Sequence, residues 1–182
     1  MTSPSFHAPT YEGIEGLKGP SLVFVLEHGS GQKVLVGLGI RRDWHRLPPS
    51  IVEVLDSHGW SIQTEKDVST ILKHNGIDVD GGGAIDTIIW SHPHFDHIGD
   101  ITTFSRSTKL VVGSNFKRTF LLGYPISPSS ALYQHVFEGR EVEEIEFSSN
   151  LQIGRFAVKY HFGDGHSTSW ILRAIQAAIC AD

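Results

Sequence analysis

Positions 88–100 read IIWSHPHFDHIGD, and within them His92, His94, Asp96 and His97 put three imidazoles and a carboxylate into six residues. Neutral imidazole nitrogen and carboxylate oxygen are metal donors that suit zinc first, with iron or manganese also served. His92 and His94 lie two residues apart, so in extended backbone they share a face and can grip one ion. Asp96 continues that spacing, whereas the adjacent His97 points elsewhere. One ion cannot easily take all four, so the spacing predicts two neighbouring sites. His92 and His94 form one, Asp96 and His97 the other. Pro93 stiffens the loop and lowers the entropy lost when the donors are ordered. The alternative is a set of solvated loop histidines. Eleven histidines in 182 residues, an unusual excess, favour metal.

Rigid elements must carry such a cluster. AIDTIIW, residues 84–90, is a short, continuous apolar run with β-branched residues and reads as a buried strand that ends at the histidines. Upstream, two apolar runs at 22–26 and 34–38 flank a Gly-rich connection and predict a β-hairpin. PPSIVEVLDSHG predicts a helix with Ser50 as cap, Ile51, Val54 and Leu55 on one face, and Gly59 as stop. EKDVSTILKHNG repeats that logic, with Val68, Ile71 and Leu72 as its stripe and Asn75-Gly76 as its end. Asp100 either caps a helix starting near Ile98, the favoured role, or supports a ligand histidine. KLVVG and the alternating RFAVKYHF predict further strands, and residues 116–137 an irregular excursion broken by Gly123, Pro125 and Pro128. From Ser167 the apolar spacing of Ile171, Ala174, Ile175, Ala178 and Ile179 predicts a closing helix. Mixed strands and helices point to an α/β layered domain.

Composition narrows the function classes. A net charge of −5 with scattered basic residues argues against a nucleic-acid surface. No apolar run approaches the ~20 residues of a membrane span, and the first residues lack the pattern of a signal peptide. Cys180 is alone, so no internal disulfide forms, which suits a reducing, cytoplasmic setting.

SHPHFDHIGD, with its leading strand and Gly99, resembles the His-x-His-x-Asp-His signature of the metallo-β-lactamase fold superfamily. LGIRRDW, residues 38–44, resembles the fungal lactam- or lactone-opening hydrolases within it, and the similarity spans roughly residues 20–166. The resemblance implies one α/β domain over residues 1–182, an αβ/βα sandwich incomplete in its second half. It also implies a third histidine from a Gly-His-Thr-like motif. GDGHSTSW supplies it as His166. The bridging aspartate and last histidine of the family have no counterpart: after His166 the only acid is Asp182, and His135 and His161 read better as solvated or strand-face residues. Relatives also carry an aspartate where Gly37 stands, and a strand where FGDG runs straight into His166, the mark of an internal deletion or early end.

By resemblance, then, the chain is a zinc-dependent hydrolase of a small-molecule carbonyl substrate, holding one zinc ion or two. His92, His94 and His166 bind the first ion. Asp96 orients the attacking water and protonates the leaving group, and with His97 can hold a second ion. Lactam or lactone opening, as in detoxification of a small plant-type or xenobiotic lactam, is the leading expectation. Phe95 and Tyr124 are candidates to line an apolar pocket. Thioester hydrolysis uses the same machinery. A shortened, non-catalytic relative with a partial metal site is the remaining alternative.

Overall fold

The computed structural model describes residues 19–80, 84–147 and 151–163, and the backbone of 170–172. The expected hairpin forms from β1 (Phe24–Glu27) and β2 (Lys33–Val36), antiparallel, with Phe24 opposite Val36. The chain then passes through α1 (Pro49–Ser57) and α2 (Val68–His74) to β3 (Thr87–Ile89). A single turn, α3 (Phe95–Ile98), precedes β4 (Lys109–Val112), and α4 (Phe116–Phe120) precedes β5 (Val142–Glu144). Strands β2 to β5 pair in parallel, with Leu35, Ile88, Leu110 and Val142 side by side, and the sheet order is β1-β2-β3-β4-β5. Parallel neighbours require crossovers, and the helices supply them.

Alternation along these strands builds two cores. Leu35, Ile88 and Leu110, each 0% exposed, face Leu55 of α1 and Leu72 of α2. Val34, Ile89 and Val111 face the other way, with Ile145, beneath Phe147 and Phe162. Each such aliphatic side chain contributes about 1.5–3 kcal/mol on burial. A one-residue slip would exchange the two faces, so the register is strongly specified. Strand β3, flanked by β2 and β4 and buried on both faces, is therefore a stiff support.

The helices begin differently from expectation. Pro48, not Ser50, is the N-cap of α1, and Pro49 opens it with its preset φ; the Ser50 hydroxyl instead donates to the Ser130 carbonyl at 3.3 Å. Gly59 at φ +66° does end this helix, and Gly76 at φ +80° follows α2. Leu55 and Leu72 are buried as expected, but Val54 and Ile71 are about half exposed. Each helix touches the sheet along a stripe narrower than its apolar spacing allows.

A second sheet, β6 (Gln152–Ile153), β7 (Phe156–Tyr160) and β8 (Trp170–Leu172), runs in the order β6-β7-β8. Here the closing helix expected from Ser167 is corrected. Residues 170–172 pair antiparallel with β7, Tyr160 opposite Trp170 and Val158 opposite Leu172. Helical spacing counts only contacts within the segment. The open edge of β7 offered backbone partners to a Trp-Ile-Leu triplet that suits a strand. The remainder of that segment, with Cys180, lies outside the described residues. The second sheet meets the first where Lys159 of β7 donates to Glu143 of β5 at 3.2 Å and Phe162 stacks on His28 with centroids 4.3 Å apart. Helices, a five-stranded sheet and a three-stranded sheet make the expected α/β layers. No described helix is long and apolar enough to cross a membrane.

Candidate metal centre

The donor segment begins where β3 ends. Trp90, 3% exposed, extends the pairing by donating its N–H to the Val111 carbonyl at 2.9 Å. Two residues later comes His92, half-buried, with its Nδ1 3.0 Å from the Ser91 hydroxyl, which leaves Nε2 as the donor atom. His94 is exposed and caps α3 with extended backbone, at φ −72° and ψ 149°. From Phe95 the chain turns helical, and the His97 N–H donates to the His94 carbonyl at 3.0 Å.

That turn changes the predicted grouping. The ring centroid of His92 lies 4.6 Å from that of His94 and 4.1 Å from that of His97. His97 Nε2 sits 3.3 Å from Asp96 Oδ2. His92, Asp96 and His97 each present a ligand atom, all within 4.8 Å of one another. Two separate pairs, with His97 pointing away, required extended backbone through Asp96. A helical turn swings Asp96 and His97 back toward His92 instead, and His94 stands at the rim. Two imidazoles and a carboxylate converging at that distance fit a divalent ion chemically. His135 is exposed against Tyr133, and His161 lies beside Phe162; neither joins the donor group found among the described residues. His166 lies outside the described residues.

Electrostatics act on His92 and Asp96 in particular. Burial, then the neighbouring His97 and His94, pushes the His92 ring down to about 4, so it is neutral at physiological pH. Burial pushes the Asp96 carboxyl up, but the His97 ring bonded to it outweighs this and holds it below the usual carboxylate range.

Several residues that hold the cluster carry no signal in the local sequence. The Ser21 hydroxyl donates to the Asp96 carbonyl at 2.5 Å across 75 residues of chain. Leu38 N–H donates to the His97 carbonyl at 2.7 Å, and Gly99 N–H to the Gly39 carbonyl at 3.0 Å. Gly99, at φ +46°, is required there, because a Cβ would overlap the Leu38 carbonyl. Gly37, where this chain departs from the aspartate that the resemblance implies, donates its own N–H to the Ile89 carbonyl at 2.9 Å. Backbone contacts thus support the loop on that side. Asp100 caps a 3-10 turn, Ile101–Thr103, by accepting from the Thr102 N–H; the helix expected to start near Ile98 is the turn that ends there. Trp60, 45% exposed, packs edge-on against Phe95 at 5.6 Å. Tyr124 packs against Tyr133 at 5.6 Å within the irregular excursion. Below the loop, Arg140 donates to the carbonyls of Ile101, Phe104, Ser105 and Thr108, a buried cation held by backbone alone.

A family model described as the metallo-beta-lactamase superfamily matches residues 16–175. The chain belongs to this superfamily. Among similar proteins is gamma-lactamase FDB1 of Fusarium pseudograminearum, 41% identical over 91% of this chain and 41% of its own length. Gamma-lactamase MBL2 of Gibberella moniliformis is 41% identical over 70% of the chain and 53% of its own length. Metallo-hydrolase mfmC of Annulohypoxylon moriforme is 36% identical over 88% of the chain and 42% of its own length. The chain thus spans about two fifths to half of these superfamily relatives. An AiiA mutant of B. thuringiensis, solved with N-decanoyl-L-homoserine at its active site, shares the fold. Its TM-score is 0.51 at 19% identity, over 76% of this chain and 52% of that one. Divalent-metal binding is the property this superfamily membership brings to the His/Asp cluster.

Proposed function

We propose that this chain is a zinc-dependent hydrolase that opens a cyclic amide or ester, with a small xenobiotic lactam as the favoured substrate class. The observation that carries this reading is the convergence of His92, Asp96 and His97, with His94 at the rim, in a chain similar to two proteins named gamma-lactamases. In this proposal His92, Asp96 and His97 supply the converging donors, and His94 and His166 complete the set for one ion or two. Bound zinc supplies Lewis acidity and an acidified water at neutral pH.

The protein's own groups do the rest. The ionised Asp96 carboxylate accepts a hydrogen bond from the attacking water and orients it toward the carbonyl carbon. As the water attacks, the same carboxylate takes its proton and then delivers it to the leaving nitrogen or oxygen. Neutral His92 offers a ring nitrogen without first losing a proton, so ligation at neutral pH carries no protonation penalty there. Trp60, packed on Phe95 beside the donors, takes the apolar body of the substrate.

Metal analysis of the purified chain, with turnover of a lactam, lactone and thioester panel before and after chelation, tests the reading. Zinc near one or two equivalents and chelator-sensitive lactam or lactone opening are the expected results. Turnover that persists both after chelation and in His94→Ala sinks the proposal, and turnover of thioesters alone replaces its substrate class.

A further inference from the structure

We infer that Arg41 is a positioning residue that holds the Asp96–His97 side of the donor set in place against His92. The inference rests on the reading of residues 92–97 as the metal loop.

Both ends of that loop are pinned to one short segment, residues 37–41. At the entrance, Gly37 N–H donates to the Ile89 carbonyl at 2.9 Å. At the exit, Leu38 N–H meets the His97 carbonyl at 2.7 Å and Gly99 N–H the Gly39 carbonyl at 3.0 Å. Arg41 adds the last link: its Nη2 donates to Asp100 Oδ2 at 3.2 Å while its Nε donates to Asp43 Oδ1 at 2.7 Å. The Arg41 side chain is 13% exposed and that of Asp100 16%, so this pair is largely withdrawn from water, where charge-assisted bonds are strong.

Asp100 is itself fixed. Its Oδ1 accepts from the Thr102 N–H at 3.0 Å and from the Thr102 hydroxyl at 2.6 Å. The guanidinium therefore grips a carboxylate that cannot swing, and Asp43 holds the guanidinium from the other side. The contacts close a ring that runs from β2 through Ile89, the donor loop, Asp100 and Arg41 back to β2. Donors inside a closed ring keep their spacing with little ordering cost when an ion arrives. With Arg41 removed, the exit end keeps two backbone bonds, one of them to Gly39 at φ +64°, and the Ser21 hydroxyl on the Asp96 carbonyl. Lysine replaces the arginine only in part, because a single ammonium lacks the planar fork that bridges two carboxylates. Arg41 reaches the donors only through Asp100 and Gly99.

The test compares the full chain with Arg41→Met and Arg41→Lys in two measurements. One is amide exchange at Gly99 in metal-free protein, read against the β3 and β4 amides. The other is the zinc dissociation constant from competition with a chromophoric chelator. Arg41→Met is expected to speed Gly99 exchange by about tenfold or more while strand amides hold, and to weaken zinc binding by about 10- to 100-fold. Arg41→Lys falls between. Unchanged Gly99 exchange overturns the inference, and so does uniform acceleration across all strands, which signals general stability alone. A parent that takes up no zinc, with Gly99 still loosened in Arg41→Met, overturns the metal reading while supporting the positioning role. If Arg41→Met does not fold, Asp100→Asn weakens the same link and is read by the same two outcomes.

Discussion

The ring of His97 lies 4.1 Å from that of His92, five positions earlier, because the backbone turns helical at Phe95. Neighbours along the chain that would alternate in a strand are thereby gathered around one point. His97 also bonds Asp96, so its ring touches both of the other groups.

Removing one member of this triad should therefore have two readouts. His97→Ala is expected to weaken zinc binding by about 100-fold, from the lost donor and the lost grip on Asp96. It should also let the Asp96 carboxyl rise, because the ring bonded to it is what holds it down. Isothermal titration with zinc and carboxyl titration by NMR check both. An Asp96 that titrates as in the parent would disconnect the pair.

Acid should destabilise the metal-free protein through His92. The unfolded ring takes its proton near 6.5, whereas the folded ring resists it down to about 4. Between those values the unfolded state binds more protons, so stability falls as pH drops through this window and is fully present above it. Urea midpoints from pH 7.5 to 4 should show that slope, and His92→Gln, which cannot titrate, should flatten it. An equal slope in both proteins assigns the effect elsewhere.

Gly99→Ala should be severe for one residue. The added Cβ meets the Leu38 carbonyl, and φ +46° is strained for any L side chain. A loss of about 2–4 kcal/mol is expected, measured as a shift of the denaturation midpoint without change of slope. Ala at Gly76, also at positive φ but with open space around it, should cost about 1 kcal/mol. Equal losses would show that backbone strain, not the close approach to Leu38, dominates.

Arg140→Leu should cost about 3 kcal/mol or more, because carbonyls of Ile101, Phe104, Ser105 and Thr108 lose their donor together. Thermal unfolding measures it. A change under about 1 kcal/mol would mean that the carbonyls find other partners.

Trp60→Ala is expected to raise KM for lactams with apolar substituents by about tenfold while leaving kcat near the parent value, the mark of uniform binding. Trp60→Phe should recover much of it. An equal effect on unsubstituted lactams would remove Trp60 from substrate recognition.

Much of this molecule is legible along the chain. The hairpin, both major helices and strands β3, β4 and β7 follow from period, β-branching and glycine stops, because each satisfies its own backbone or buries its own stripe. Strand β5 carries acids and only one aliphatic residue, Val142, and forms because β4 offers an edge. Strand β8 has helical spacing around it and forms because β7 does the same.

The sequence by itself determined the candidate donors: His92, His94, Asp96 and His97 are crowded after a buried strand, and their chemistry is a property of side-chain type and nearness in the chain. Only the tertiary structure decided how they group. Whether Asp96 and His97 face His92 depends on where extended backbone gives way to a helical turn, and local residue types permit either. Contacts from Ser21, Leu38, Gly39 and Arg41 hold that turn in place, and they come from segments more than fifty residues upstream. Such contacts leave no periodic trace in sequence, because nothing repeats when two distant pieces of chain meet only once.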